Sequence, residues 1–189
     1  MKQVLSRTIL KIFGWKIKDI SDNKIEKCVI ILAPHTSNYD FIIGRLAYFS
    51  INKKIKFLIK KEFFKFPMGR IFTAMGGIPV DRSGKNNLVG SLVQLFNNSK
   101  ELTVILTPEG TRSYVSKWKK GFYLIAKRAK VPILLGYLDY ERKEGGIGKV
   151  IYPSGNFEED FKKIEDFYRD KTAKHPENFN LSAGRLPKE

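Results

Sequence analysis

Cysteine is nearly absent from this sequence, histidine is scarce and acid is outnumbered. Its 189 residues hold one cysteine, two histidines and 19 Asp and Glu against 35 Lys and Arg. A single cysteine, Cys28, excludes an intrachain disulfide and a zinc site built from several cysteines, and it fits a reducing compartment. Cys28 sits inside an apolar run and reads as a small buried hydrophobe. Long apolar runs are missing too, with none near the ~20 residues that span a bilayer. The first residues lack an uninterrupted apolar core followed by a small-residue cleavage site, so they do not read as a signal peptide. There is no internal repeat and no low-complexity tract. The shortage of acid leaves a formal charge of +16. That implies an anionic partner: nucleic acid, an anionic membrane or a phosphorylated substrate.

What is present is enough for a folded core. Hydrophobic residues make up 42% and charged residues 29%, the balance of a globular chain rather than a disordered one. The length predicts a single domain over residues 1–189.

The stretch around which the chain is organised is Ala33-Pro34-His35-Thr36-Ser37-Asn38-Tyr39-Asp40. It follows the apolar run Cys28-Val29-Ile30-Ile31-Leu32, which reads as a buried strand. It precedes a helical pattern from Phe41, for which Ser37 or Asn38 is a candidate cap. His35 therefore falls on a strand-to-helix loop and Asp40 in the first turn of the helix. A neutral imidazole is basic near pH 7, and a carboxylate in reach of its second nitrogen fixes tautomer and orientation. The plainer alternative is a loop histidine beside a charge that complements the helix dipole.

Other elements follow in order. Residues 3–13 read as a basic amphipathic helix with Leu5, Ile9, Ile12 and Phe13 on one side. Such a helix either lies in a membrane interface or packs on the core. Residues 1–20 are accordingly a candidate membrane-interface segment. Residues 55–59 read as a strand. Residues 60–70 mix lysine and phenylalanine densely, a composition suited to a headgroup layer or to a core helix with a solvated face. A short strand at 78–81 ends at Arg82, whose fork of donors suits a phosphate. A helix follows over 85–97, then a strand at 102–106. This last strand runs into Thr107-Pro108-Glu109-Gly110-Thr111-Arg112-Ser113. A helix over 122–130, a strand from 131, a late strand near 145–152 and a helix over 157–171 capped by Asn156 complete the pattern. Residues 173–189 read as a loosely held tail, with His175 in solvent.

Strands alternating with helices predict an α/β fold, a mostly parallel central sheet flanked by helices, with the N-terminal amphipathic helix outside it. In such a sheet the carboxyl ends of strands gather at one edge, where ligands bind. His35, Asp40, Arg82, Glu109 and Arg112 are all expected there.

These loops together resemble the glycerophospholipid acyltransferase family, whose bacterial members include 1-acylglycerol-3-phosphate O-acyltransferases. His35 and Asp40 match its first motif, His, four residues, Asp. Gly76 to Ser83 match its glycine-led second motif. Pro108-Glu109-Gly110-Thr111-Arg112-Ser113 match the third residue for residue, and Val131-Pro132-Ile133 match the fourth. A second proline often follows in the family; here Leu134-Leu135-Gly136 stands instead.

The resemblance implies that His35, oriented by Asp40, removes a proton from an acceptor hydroxyl, which attacks the thioester of acyl-CoA or acyl carrier protein. It implies substrate binding by Arg82, Glu109, Gly110, Thr111 and Arg112. The two arginines would hold the acceptor's phosphate, and Glu109 would organise an arginine or the loop. No metal and no cofactor are called for. The expected acceptor is 1-acylglycerol-3-phosphate, with another lysolipid or an aminolipid as the alternative. The expected location is cytoplasmic, peripheral on the inner face of the cell membrane, against an anionic surface. A basic membrane-surface module without activity is a rival. So is a nucleic-acid-binding protein, against which stands the lack of any helix-turn-helix, zinc-finger or RNP-like signature.

Overall fold

The computed structural model describes residues 1–21, 25–80 and 87–181. Helix α1 (Lys2–Ile12) leads to strand β1 (Lys16–Asp19), and β2 (Lys27–Leu32) to α2 (Tyr39–Ser50). Strand β3 (Lys56–Lys60) runs through a 3-10 turn (Lys61–Phe64) into α3 (Met68–Ala74) and β4 (Gly77–Val80). Helix α4 (Leu88–Asn98), β5 (Leu102–Leu106) and α5 (Gly121–Ala129) follow. Strands β6 (Ile133–Asp139) and β7 (Glu144–Ile151) form a hairpin, and α6 (Phe157–Tyr168) packs back on the sheet.

The strands form one seven-stranded sheet in the order β1-β7-β6-β2-β5-β3-β4. Strands β6, β2, β5, β3 and β4 run parallel, while β7 is antiparallel to β6 and β1 parallel to β7. The expected mostly parallel α/β sheet is thus present, with a reversed flank added by the hairpin.

Strand β2 lies at the centre because its side chains are apolar on both faces. Val29 and Ile31 enter the core shared with α4, α5 and α6, while Cys28 and Ile30 enter the smaller core that includes Tyr48 of α2. Burying each such aliphatic side chain contributes about 1.5–3 kcal/mol. A charge placed at Ile30 would face hydrocarbon without a partner.

Strand β3 pairs with β5 only at Lys56↔Val104 and Phe57↔Ile105, but with β4 along Phe57 to Lys60. Beyond Phe57 it therefore leaves β5, and the sheet opens at its carboxyl edge.

Of the two cap candidates Ser37 serves, its Oγ accepting from the Tyr39 amide at 3.2 Å, while Asn38 has helical dihedrals and makes no side-chain cap. Asp40, inside the helix, adds contacts in the other direction, reaching back to the amides of Thr36 and Ser37 at 2.8 and 2.9 Å. In α1 only Ser6 and Leu10 are buried, so Leu5, Ile12 and Phe13 face outward. Residues 173–181 are docked rather than loose. Ala173 is buried, the His175 amide donates to Thr36 Oγ1 at 3.1 Å, and Trp118 Nε1 donates to the Asn180 carbonyl at 2.9 Å. Apolar Ala173 and Phe179 reach the core there, a signal too sparse for periodicity to detect.

Among the described residues, no helix is long and apolar enough to cross a membrane.

Candidate active site

At the carboxyl end of β2 the chain turns through Ala33 to Asn38 before α2 begins. This turn brings His35 and Asp40 together. Asp40 Oδ2 lies 3.2 Å from His35 Nδ1, with the histidine side chain 15% exposed and the aspartate 1%. The contact is of hydrogen-bond length but poorly aligned, and Nδ1 has no other partner among the described residues. Such bonds often align only when substrate is bound. A proton on Nδ1 facing the carboxylate leaves Nε2 as the basic nitrogen.

Asp40 is well provided for. Oδ2 accepts from the Thr36 and Ser37 amides, and Oδ1 accepts from Tyr140 Oη at 2.6 Å. Burial is the largest single influence and pushes its carboxyl up. The hydrogen bonds from His35, Tyr140 and Ser37 together outweigh it and hold the group below the ordinary carboxylate value. Hydrogen bonds to a charged group are each worth about 1.5–3 kcal/mol. The aspartate is thus ionised although it is out of contact with water.

Glu109 approaches the same loop from the carboxyl end of β5. Its carboxylate oxygens lie 3.0 and 3.4 Å from the backbone N–H of His35, which donates to them. It is 2% exposed, and burial pushes its carboxyl up to about 8. The structure therefore sets Glu109 behind His35, against that residue's backbone.

Gly110 follows with φ +72°, and a side chain there would press on the Lys119 stem at 2.8 Å. Glycine answers both constraints. Thr111 and Arg112 are exposed, and Thr111 Oγ1 accepts from the Ser113 amide at 3.3 Å. Arg82 lies outside the described residues, so its place in the site is not seen.

His35, Asp40, Gly110, Thr111 and Arg112 line one cavity of about 1020 Å³. It occupies the gap where β3 leaves β5. Phe41, Phe57 and Ile59 line it, as do Leu88, Phe122 and Ile125 of α4 and α5. The cations on its wall are Arg45, Lys60, Arg112 and Lys119, and among the described residues none of them pairs with a carboxylate. Arg45 is held by aromatic faces, its guanidinium carbon 4.4 Å from the Phe49 ring centre and 5.5 Å from that of Phe57. Burial lowers its pKa. The combination suits an amphiphile with an apolar chain and more than one negative charge.

Sequence reasoning passed over Lys119, Arg45 and Tyr140. Arg45 carried a usable signal, as the one basic residue in the apolar run of α2. Tyr140 follows the last residue of a strand parallel to β2, so the rule that placed His35 at the sheet edge places it there too. Lys119 had only its sequence distance from the Glu109 loop.

The sequence model of the Acyltransferase family matches residues 16–134, which include both the His35 and the Glu109 loops. Curated proteins gave no significant match. Among solved structures, the chain is similar in fold to the 1-acyl-sn-glycerophosphate (LPA) acyltransferase PlsC from Thermotoga maritima. The two share 19% identity with a TM-score of 0.58, over 92% of this chain and 80% of that one. With a family match over more than half its length, and with the matched residues gathered at one cavity, this chain belongs to the acyltransferase family.

Proposed function

We propose that this acyltransferase moves a fatty acyl group from acyl-CoA or acyl carrier protein to a hydroxyl of a 1-acylglycerol-3-phosphate-like acceptor. The observation that carries the reading is the His35–Asp40 pair on the wall of a cavity that is mostly apolar and bears cations without carboxylate partners. The similarity in fold to a lysophosphatidate acyltransferase is consistent with it.

His35 takes the proton of the acceptor hydroxyl as the oxygen attacks the thioester carbonyl. The thiolate leaves and is protonated, and an ester forms with no acyl-enzyme intermediate. General-base help of this kind is typically worth roughly 10² to 10⁴ in rate. Asp40 stabilises the imidazolium that forms. Arg112, with Lys119 nearby, holds the acceptor's phosphate, and Arg82 is assigned the same task. The apolar wall takes the acyl chain. Glu109, Gly110 and Thr111 shape the loop that presents Arg112.

The enzyme works at the cytoplasmic face of an anionic membrane. Leu5, Ile12 and Phe13 near α1 are exposed, as are Phe63, Phe66, Met68 and Ile71 beside Lys61, Lys65 and Arg70. Apolar residues flanked by cations favour an anionic lipid surface.

The test is release of free thiol from acyl-CoA or acyl carrier protein with a panel of acceptors and anionic vesicles. Acceptor-dependent release, greatest with lysophosphatidate, is expected. Release that ignores acceptors would make the protein a thioesterase. Release with an aminolipid but not with lysophosphatidate would replace the acceptor named here.

A further inference from the structure

The Asp40 carboxylate has two oxygens with different surroundings. Oδ2 receives the Thr36 and Ser37 amides and faces His35. Both amides belong to the loop and the helix start that carry Asp40 itself. Oδ1 has a partner from far along the chain, the phenol of Tyr140, which donates at 2.6 Å. The backbone amides fix where Oδ2 sits. The phenol fixes the rotation of the carboxylate about that point, and so the plane that His35 Nδ1 meets.

Tyr140 is itself held from two sides. Its backbone N–H donates to the Thr172 carbonyl at 2.9 Å. Its ring meets Trp15 edge to face, centroids 5.2 Å apart and planes at 89°. It is absent from the cavity wall, so it does not act by touching substrate. Burial first, then the neighbouring Asp40, push its own pKa upward, so it remains a neutral donor across the working range.

We infer that Tyr140 is a positioning residue for acyl transfer, its phenol holding the Asp40 carboxylate in the orientation that His35 requires. This rests on the assignment of His35 and Asp40 made above. The titratable groups around Asp40 are His35, Tyr140 and Glu109. Without the phenol, Asp40 loses a donor to its charged form, and its carboxylate is free to turn out of the plane that His35 Nδ1 meets.

The experiment uses Tyr140→Phe, which keeps the ring against Trp15 and removes only the hydroxyl, in wild-type and Asp40→Asn backgrounds. In the wild-type background, kcat is expected to fall roughly 10- to 100-fold, the size of one hydrogen bond to a charged group, with KM for both substrates little changed. In the Asp40→Asn background, the same change is expected to cost little further, because residues acting as a unit are not additive. An equal loss in both backgrounds, or a loss confined to KM, would make Tyr140 a packing residue and overturn the inference. Wild-type kcat in Tyr140→Phe would also overturn it. Full activity in Asp40→Asn itself would instead overturn the assignment of Asp40.

Discussion

The loops that leave β2 and β5 lie side by side at one sheet edge and are built in opposite ways. In the β2 loop, Asp40 is saturated with hydrogen bonds and the His35 amide is taken by Glu109. In the β5 loop, Glu109 is turned inward in the same manner, but three residues later Arg112 stands exposed with no carboxylate partner among the described residues. The first arrangement fits groups that must keep one geometry throughout a reaction. The second fits a group whose counter-ion arrives with the substrate. On the proposed assignment, rigidity is concentrated where a proton would move, and unsatisfied charge where a ligand would bind.

The contrast can be broken most severely at His35. His35→Ala should lower acyl transfer by roughly 10² to 10⁴ with the fold and vesicle binding intact; turnover near wild type would remove it from the chemistry. Arg112→Ala should act differently, raising KM for a phosphorylated acceptor about tenfold, or ~1.4 kcal/mol, while changing KM for the acyl donor much less. Equal increases for both substrates would show that Arg112 shapes the loop instead.

The inward face of the β5 loop is tested by pH. Burial raises the Glu109 carboxyl to about 8 in the folded chain, against 4.5 for the free group. The folded protein therefore holds a proton that the unfolded chain has released between those values. The associated stability is complete below about pH 4.5 and is lost as pH rises to about 8. Glu109→Gln should remove that dependence, so its Tm relative to wild type should rise between pH 5 and 8.5 by roughly 4 °C or more. Parallel profiles would indicate that the carboxylate is compensated in the fold. The smallest effect belongs to the outer surface. Lys65→Ala should weaken binding to anionic vesicles about fivefold at low salt, the contribution of one basic residue near a charged bilayer. No change would move the membrane contact elsewhere.

The sequence was most informative where one residue type had one physical reason to be present. The continuous apolar run Cys28 to Leu32 reads as a buried strand, and it is one, at the centre of the sheet. Asn156 before three acidic residues and spaced aromatics marked α6, and its side chain does accept from the Glu159 amide. The meeting of His35 with the Glu109 loop followed from a parallel sheet, whose strand ends gather at one edge. What stayed hidden depended on long-range pairing. Glu109 bonds a backbone N–H, a partner that every residue offers and no pattern distinguishes. Tyr140 reaches Asp40 across 100 residues. Gly136 lies where a side chain would meet Tyr48 Oη at 2.9 Å and Ile30 at 3.0 Å, a constraint visible only once α2 is laid on the sheet.

The docking of residues 173–181 has a consequence in time. A chain emerging during synthesis possesses His35 and Asp40 once residues 27–50 have been made. At that stage it lacks Glu109 beneath the histidine amide, Tyr140 on the aspartate and the His175 amide on Thr36. Those partners arrive in that order, the last from near the far end of the described chain. The two side chains are thus made early and their supports arrive late, spread over most of the length of the described chain.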